Sequence, residues 1–271
     1  MITLQVKGLV IRTTDIREAD RLITIFTEEM GVVSAMARGA RSLKSRQMAP
    51  TLLFCYSSFV LYKRGEYYQV KECELIESFF GVRYTIEGLA LANYIAEVLN
   101  DVVVAEPDKD LLRLSLNSLY AISESKYPLE KIKAAFEIRA ASIIGFMPDV
   151  LACSVCGEKL GNFYFEIMAG ALRCYSCHEN EASQHLEPEN PHESHIVCIL
   201  TEGAKIALGY CIHSPLQKLL SFKISDEDME LFSKAAEEYL INQLERSFNS
   251  LDFYKEVKRK NAVHKQNTFN T

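Results

Sequence analysis

The sequence has no apolar run long enough to cross a lipid bilayer. Its longest apolar stretches, such as residues 102–105 and 140–144, fall far short of the roughly 20 residues that a transmembrane helix needs. The first residues, MITLQVK, also do not form the basic leader and apolar core of a secretory signal peptide. These absences predict an intracellular protein that is not anchored in a membrane.

Sequence signatures of common enzymes are missing as well. The 12 glycines form no GxxxxGK(S/T) loop that would cradle a phosphate, and neither GxGxxG nor GxSxG occurs. Adjacent carboxylates such as Glu28 and Glu29 fall in a predicted turn, where solvation explains them. A nuclease or a ligase would need acidic metal ligands or a nucleophile, and the sequence presents neither in a recognisable pattern. We therefore expect a protein that is not an enzyme.

The composition is that of a globular protein. Of the 271 residues, 48% are hydrophobic and 24% are charged, which is typical of a chain with one large domain or two to three small ones. Eight cysteines would be few for a disulfide scaffold, and structural disulfides are rare inside cells. We interpret the four isolated cysteines as small buried hydrophobic residues: Cys55, Cys73, Cys198 and Cys211.

Basic residues are concentrated in one part of the chain. The whole sequence has a net charge of −6, yet residues 1–80 carry 11 Lys and Arg against 9 Asp and Glu. The stretch from Met30 to Gly65 contains no acidic residue and six basic ones: Arg38, Arg41, Lys44, Arg46, Lys63 and Arg64. Local basic density governs the affinity for phosphates more than the overall charge does. These six residues are the candidate nucleic-acid contacts, although a solvated surface is the alternative interpretation.

The first 80 residues predict five β-strands. Apolar and polar residues alternate with a period near two in residues 4–11, as in a half-buried strand. Four further segments are rich in the β-branched and aromatic residues that favour strands. They are residues 22–27, 32–37, 58–62 and 67–73. Five short strands in this space are the element count of a small Greek-key barrel such as an OB-fold. Tyr62, Tyr67 and Tyr68 either offer stacking faces for bases or belong to the barrel core.

After residue 80 the apolar residues recur with helical spacing. This pattern predicts helices at residues 85–104, 108–119, 128–145, 201–208, 215–220 and 225–246. A polar, proline-rich stretch at residues 187–195 is interpreted as a solvated linker. We expect an α+β multidomain protein whose parts are, in order, an OB-fold β-barrel (1–80), the first part of a helical domain (81–150), a small zinc-binding insertion (151–180), the second part of the helical domain (181–254) and a disordered tail (255–271).

The insertion contains the most specific motif of the chain. Cys153 and Cys156 form one CxxC pair, and Cys174 and Cys177 form a second pair after seventeen intervening residues. Each CxxC turn can aim two sulfurs at one centre, so two turns complete the tetrahedron of a structural zinc site. The residues between the pairs predict a hairpin that holds the two turns together. The alternatives are disulfides, a redox CxxC pair and a site that has lost its metal.

Two parts of the chain resemble one known family. The first part is the N-terminal series GLVIR at residues 8–12, EADRLITIFT at 18–27, Gly31, RGARS at 38–42, Ser45 and Pro50. The second part is the double CxxC insertion inside a helical domain. In their order and spacing, these features resemble the bacterial RecO family of recombination mediators and DNA repair proteins over most of the chain.

The resemblance implies a zinc ion bound by the four cysteines of the insertion. It also implies binding of single- and double-stranded DNA, annealing of complementary strands, and help in loading the recombinase onto strands coated by single-stranded-DNA-binding protein (SSB). The implied partners are RecR and the acidic C-terminal tail of SSB, and the implied location is the cytoplasm, at the nucleoid. The DNA contacts carry over onto Arg38, Arg41, Lys44 and Arg46, and the charge pattern adds Lys63 and Arg64.

Two further assignments rest on charge alone. Lys131, Lys133 and Arg139 on the predicted third helix are candidates for binding the SSB tail. The C-terminal cluster of Lys255, Lys258, Arg259 and Lys260 is an alternative DNA-binding segment. The alternative function is a zinc-ribbon adaptor or transcription regulator without annealing activity. Such a protein would share the cysteines, but it would not have the basic, strand-rich N-terminus.

Overall fold

The computed structural model describes residues 3–65, 67–102, 106–184 and 196–269. The chain divides into two units, each described by itself below. The barrel unit comprises Met1–Lys126 and Phe248–Thr271, and the cysteine unit comprises Tyr127–Ser247. The predicted boundary near residue 80 differs from this division, because the helices that follow residue 80 are grouped with the N-terminal strands.

The first five strands form a closed barrel. They are β1 (Thr3–Ile16), β2 (Asp20–Thr27), β3 (Gly31–Ala37), β4 (Tyr56–Arg64) and β5 (Tyr67–Glu77). Their order around the barrel is β1-β2-β3-β5-β4, and β1 pairs with β4 to close it. Neighbouring strands are antiparallel except β3 and β5, which run parallel. This arrangement confirms the predicted OB-like barrel.

The barrel core follows from the alternation of side chains along each strand. In β4, Phe59 and Leu61 are buried, whereas Val60 and Tyr62 are half-buried on the opposite face. Side chains from all five strands fill the interior: Val6, Val10, Ile23, Ile25, Val33, Ala35, Phe59, Leu61 and Val70. The alternation leaves part of the strand surface on the outer wall, whereas residues 8–11 of β1 and 25–27 of β2 are buried consecutively.

Helices account for most of the remaining chain. In the described residues they are α1 (Ile86–Val102), α2 (Lys109–Ser123), α3 (Leu129–Ile143), α4 (Tyr175–Gln184), α5 (Glu202–His213), α6 (Asp226–Leu244) and α7 (Asn249–Phe269). Asp108, Thr201 and Ser225 cap α2, α5 and α6 by accepting backbone N–H groups. The predicted helix at residues 215–220 is only a short 3₁₀ helix, Leu216–Lys218. None of the described helices is long and apolar enough to span a membrane.

The C-terminal segment is helical, which corrects the predicted disordered tail at residues 255–271. Residues 255–269 belong to α7, and residues 270 and 271 lie outside the described part of the chain. Helix α7 packs against α1. Two polar contacts fix it there, since the Ser250 amide donates to Glu97 Oε2 and Asn261 Nδ2 donates to Glu87 Oε1, each at 3.0 Å. The tertiary contacts with α1 therefore stabilise a helix whose polar composition alone indicated disorder.

A four-stranded sheet organises the cysteine unit. Its strands are β6 (Asp149–Cys153), β7 (Phe163–Glu166), β8 (Ala171–Cys174) and β9 (Val197–Leu200), in the order β6-β8-β7-β9. The antiparallel pairing of β7 with β8 confirms the predicted hairpin between the two CxxC pairs. Strand β9 lies beyond the predicted end of the insertion at residue 180. The predicted linker at residues 187–195 falls outside the described residues.

Gly8 allows close approach of β1 and β2 in the barrel. A Cβ atom at this position would lie 2.7 Å from the Phe26 carbonyl oxygen and 2.5 Å from Ile25 Cγ2. We expect Gly8→Ala to lower the free energy of unfolding by about 1–3 kcal/mol, because the strand backbone would have to move. Urea denaturation measures the change.

The control is Gly209→Ala in α5, where an added Cβ atom would lie 3.7 Å from its nearest neighbour, Val150 Cγ2. This substitution should be neutral or stabilise the protein by up to about 1 kcal/mol. Equal destabilisation in both variants would contradict the steric argument.

Candidate metal centre and nucleic-acid interface

The sheet of the cysteine unit brings the two CxxC pairs together. Cys153 ends β6 and Cys156 lies in the turn that follows. In that turn Gly157, at φ 77°, donates its amide to the Cys153 carbonyl at 3.0 Å. Cys174 ends β8, and Cys177 lies in the first turn of α4. Because β6 pairs with β8, both pairs converge at one end of the sheet.

The four sulfur atoms form a compact cluster. Each pair of Sγ atoms lies within 4.8 Å, and the Cys156 and Cys174 sulfurs are 3.6 Å apart. A tetrahedral metal ion with metal–sulfur bonds of about 2.3 Å would separate its sulfurs by about 3.8 Å. All four cysteines are free thiols, so the disulfide alternative does not describe this structure. The cluster therefore fits a metal ion in geometry and in ligand type.

The electrostatics of the cluster also favour a bound cation. Burial would raise the pKa of Cys153, but the backbone N–H groups of Cys156, Cys174 and Val155 lower this pKa to about 6. One of these donors, the Cys174 amide, lies 3.3 Å from Cys153 Sγ. The thiols of Cys174 and Cys156 raise the pKa of Cys177 to about 12. The site thus stabilises one thiolate by itself, and a cation would be needed to deprotonate all four sulfurs.

The isolated cysteines are not members of this cluster. Cys55, Cys198 and Cys211 are buried, as predicted, whereas Cys73 is half-buried against the barrel core. Burial raises the pKa of Cys55 and Cys73 to about 11 and that of Cys211 to about 12. These thiols are therefore protonated at neutral pH and behave as apolar side chains.

The predicted nucleic-acid contacts fall on two parts of the barrel. The first part is the basic loop, which we define as residues 38–55 between β3 and β4. It contains Arg38, Arg41, Lys44 and Arg46, all exposed. The loop is a series of hydrogen-bonded turns, with the Ser42 amide donating to the Gly39 carbonyl at 3.1 Å and others following. Its cations are therefore held on an ordered backbone.

The second part is the tip of the β4–β5 hairpin. Lys63 and Arg64 are exposed there, and Tyr67, directly after the tip, is 61% exposed. The parallel register of β3 and β5 pairs Ala35 with Tyr68. Lys63 in turn pairs with Tyr68 across β4 and β5, so it lies level with Ala35, whereas the basic loop begins after Ala37. The six predicted cations thus lie on two separate segments, the basic loop and the β4–β5 hairpin.

The structure adds one cation that sequence reasoning missed. Lys71 on β5 lies with Arg46 along a groove of about 680 Å³ on the outside of the barrel. The carboxylates of Glu72 and Glu74 also line this groove. Lys71 stands in a strand among acidic neighbours, so no local pattern marks it. The barrel fold brings it near the basic loop, because residues of β1, β4 and β5 line this groove together with Arg46 and Gln47.

The three candidate stacking tyrosines differ in their surroundings. Tyr67 is the most exposed of them. Tyr62 is half-buried on the outer wall, and its hydroxyl hydrogen-bonds to Gln69 Oε1. Tyr68 packs against the barrel core. Of the three, Tyr67 therefore offers the most accessible ring face.

All three residues predicted from charge for the SSB tail make polar contacts within the cysteine unit. The Lys133 side chain is only 3% exposed, and it pairs with Glu137 Oε1 at 3.0 Å and Glu237 Oε2 at 2.7 Å. The assignment of Lys133 to a surface contact is therefore wrong, because the helix turns this residue into the α3–α6 interface. Arg139 is part-buried and donates to the carbonyl oxygens of Ile212 and Ser214.

Lys131 lies in a different environment, among aromatic rings. Its ammonium group donates to the Phe222 carbonyl. It also lies 4.2 Å from the centroid of the Phe222 ring and 5.3 Å from that of Tyr127. Burial lowers the pKa of Lys131, and the nearby charge of Lys223 lowers it further. The ring of Tyr210 packs on Phe222 at 5.9 Å. These residues form a half-buried surface that combines aromatic rings with positive charge.

The fold and the two sites define the class of protein. The chain combines a closed OB-like barrel that carries a basic loop, a set of helices and a four-cysteine cluster that could hold a metal ion. The chain matches the family model "Recombination protein O N terminal" over residues 1–79 and the model "Recombination protein O C terminal" over residues 83–252. The chain belongs to the RecO family of DNA repair proteins.

Relatives from several bacteria align with most of the chain. A DNA repair protein RecO of Acetivibrio thermocellus is 36% identical over 258 residues, which cover 94% of this chain and 98% of that protein. One of Alkaliphilus metalliredigens is 28% identical over 257 residues, covering 94% and 99%. One of Listeria monocytogenes is 31% identical over 185 residues, covering 68% and 72%. The resemblance stated from the sequence motifs is thereby confirmed.

Proposed function

We propose that the protein acts as a recombination mediator without catalytic activity. In this proposal it binds single- and double-stranded DNA in the cytoplasm, at the nucleoid, and anneals complementary strands. It then helps to load the recombinase onto single strands coated by SSB, with RecR as a partner. The observation that supports this most is the placement of exposed basic residues on the loop after β3 and on the β4–β5 hairpin of an OB-like barrel, in a chain of the RecO family.

The barrel wall between the two basic parts suits a single strand. Leu22 pairs with Met36 and Thr24 with Ser34 across β2 and β3, and these four side chains lie outside the barrel core. These side chains are small or apolar, and bases could lie over them. The basic loop and the hairpin tip would hold phosphates on either side, and Tyr67 would stack on a base. Contacts of this kind are independent of sequence, as annealing requires.

We infer that the metal ion of the cysteine unit is zinc. Four thiolates in a tetrahedral arrangement suit zinc, and four protein ligands leave no position for a reactive water molecule. In this role Cys153, Cys156, Cys174 and Cys177 would hold the two turns to the sheet. The zinc-ribbon adaptor, the alternative function, would use the same cluster, so the metal does not distinguish the two functions.

The surface around Lys131 is the better candidate for the SSB tail. Phe222, Tyr127 and Tyr210 offer apolar faces, while Lys131 and Lys223 offer positive charge. An acidic peptide with apolar side chains would meet both features there. Arg139 would act behind this surface by fixing the segment after α5 through its two carbonyl contacts.

Annealing distinguishes the proposed function from its alternatives. Labelled complementary oligonucleotides are mixed with the protein and no nucleotide cofactor, with and without an SSB coat. Faster duplex formation without cleavage supports a mediator. Cleavage of either strand would indicate an enzyme, and binding without faster annealing would indicate an adaptor.

The cations of the basic loop give a quantitative prediction. We expect the triple variant Arg38→Ala, Lys44→Ala, Arg46→Ala to bind single-stranded DNA about 10- to 100-fold more weakly at moderate salt. The log–log salt dependence should flatten by roughly 0.7 for each phosphate that the variant no longer neutralises. Fluorescence anisotropy titrations at several salt concentrations measure both quantities. The weakening should be similar for oligonucleotides of different sequence, because phosphates carry no sequence information.

The control tests the C-terminal cluster. Since α7 packs on α1, truncation after Tyr254 would disturb the barrel unit, and substitution is the cleaner change. The variant Lys255→Gln, Lys258→Gln, Arg259→Gln, Lys260→Gln should keep most of the salt dependence. If this variant loses DNA binding while the triple variant keeps its affinity and slope, the basic loop is not the phosphate site.

A further inference from the structure

The turn between β1 and β2 is fastened to the start of the basic loop. We define this β1–β2 turn as residues 15–20. The Arg41 amide donates to the Ala19 carbonyl at 3.0 Å. The Gly39 amide donates to Asp20 Oδ1 at 2.9 Å. These two bonds fix the backbone of the loop where it leaves β3.

The Arg41 side chain adds three contacts to the same turn. Its Nε lies 3.2 Å from Asp15 Oδ2, and its Nη1 donates to the carbonyls of Arg17 at 3.1 Å and Glu18 at 3.2 Å. Arg17 has a left-handed backbone with φ 56°, an uncommon conformation for a residue other than glycine. The guanidinium group of Arg41 is therefore held by the turn, although its side chain is still 37% exposed.

Asp15 also reaches the second half of the loop through another arginine. Its Oδ1 lies 3.3 Å from Arg21 Nε. The Nη1 atom of Arg21 donates to Thr51 Oγ1 at 3.2 Å, and Thr51 Oγ1 donates to the Gln47 carbonyl at 2.7 Å. The Arg21 side chain is only 11% exposed, so it has little surface left for DNA. One carboxylate thus connects to both halves of the loop.

We propose that Asp15 is a positioning residue for DNA binding, which acts through Arg41 and Arg21 to hold the basic loop in its binding conformation. The proposal rests on the function proposed above. A loop that is ordered before binding does not lose conformational entropy when it contacts phosphates, and its affinity is correspondingly higher. In this arrangement Arg41 supports the loop, and Arg38, Lys44 and Arg46 contact the DNA.

The role of Asp15 can be tested because its negative charge and its contacts to the loop affect the affinity for DNA in opposite directions. It is a carboxylate beside a polyanion site, so its charge alone weakens DNA binding, and its removal should then strengthen binding. If Asp15 orders the loop, its removal should weaken binding instead. In the described part of the chain, the nearby Glu18 carboxylate forms no hydrogen bond or ion pair, and its side chain is exposed. Glu18 is therefore the matched control for charge.

The experiment compares Asp15→Ala, Asp15→Glu and Glu18→Ala in the full chain by anisotropy titration with a labelled single-stranded oligonucleotide. We expect Glu18→Ala to bind as tightly as the wild type or slightly more tightly. Asp15→Ala should bind about threefold to tenfold more weakly, with an unchanged salt slope, because the phosphate contacts remain. Asp15→Glu keeps the carboxylate and should restore most of the affinity.

A second pair of variants keeps the charge constant. Arg41→Lys cannot form the three contacts of the guanidinium group, whereas Arg38→Lys retains an exposed cation. We expect Arg41→Lys to weaken binding more than Arg38→Lys does. Hydrogen exchange should also be faster in residues 38–51 of Asp15→Ala and Arg41→Lys, while the unfolding temperature and the metal content stay close to those of the wild type.

Three outcomes would overturn the proposal. The first is that Asp15→Ala binds DNA as tightly as Glu18→Ala. The second is that the loop amides keep their protection from hydrogen exchange in both Asp15→Ala and Arg41→Lys. The third is that Arg41→Lys and Arg38→Lys weaken DNA binding equally. Failure of the proposed function is a different result, since the wild-type protein itself would then not bind the oligonucleotide. If Asp15→Ala fails to fold, the comparison of Arg41→Lys with Arg38→Lys decides the question.

Discussion

Replacing Cys153 and Cys174 with serine is expected to abolish metal binding and to unfold the sheet of the cysteine unit. Both residues are buried and belong to different CxxC pairs. The double variant therefore removes one sulfur ligand from each pair. Zinc sites of this kind contribute about 10–16 kcal/mol of apparent binding free energy in small metal-dependent domains, and this energy is also folding energy. Native mass spectrometry should detect one zinc ion per wild-type chain and none in the variant.

A matched control separates removal of the metal from removal of a buried thiol. Cys198 is buried in β9 of the same sheet but is not a member of the sulfur cluster. Cys198→Ala should keep one zinc ion per chain and lower stability only modestly. A chelator should reproduce the effect of the double serine variant on the wild-type protein. A metal-free wild-type protein with a folded sheet and intact disulfides would contradict the zinc assignment.

Lys133→Ala is expected to destabilise the cysteine unit by about 3–5 kcal/mol, because it leaves two carboxylates at the α3–α6 interface without their cation. The Glu137 side chain is 0% exposed, and that of Glu237 is 14% exposed. Burial alone would lower the pKa of Lys133, but Glu137 and Glu237 outweigh burial and raise it. Urea denaturation of Lys133→Ala beside the wild type measures the change in the free energy of unfolding.

The pH dependence of this network follows from the direction of the shift. Because the pKa of Lys133 is raised above its ordinary value of 10.5, its contribution is fully present below pH 10.5 and is lost as the pH rises through the folded-state pKa. Lys234→Ala on the exposed face of α6 is the control and should change stability by no more than about 0.5 kcal/mol. A similar small change in Lys133→Ala would show that the interface relaxes to hydrate both carboxylates.

The barrel and the metal cluster could be predicted from the sequence because both depend on local patterns. Period-two alternation defines a strand with one buried face, and five such segments in the first 80 residues leave few folds other than a small barrel. A CxxC pair is a local turn that directs two sulfurs to one point. The helix starts at Asp108, Thr201 and Ser225 were predictable for the same reason, since a cap involves neighbouring residues only.

The roles of individual cations were not predictable in this way. Lys133 and Lys131 stand two residues apart on one helix, yet one is buried between carboxylates and the other lies among aromatic rings. Arg41 stands three residues after Arg38, yet its guanidinium group is bound by the β1–β2 turn.

The sequence by itself determined the five strands of the barrel, most of the helices, where the metal ligands lie, and which stretch of the barrel is basic. Only the tertiary structure decided which of the charged side chains face solvent, that Lys71 joins the basic loop, and that α7 is ordered against α1. The physical reason is the range of the interactions. Strand alternation, capping and CxxC turns act between residues that are close in sequence, whereas burial of a charge depends on partners that lie far along the chain, such as Glu237 for Lys133.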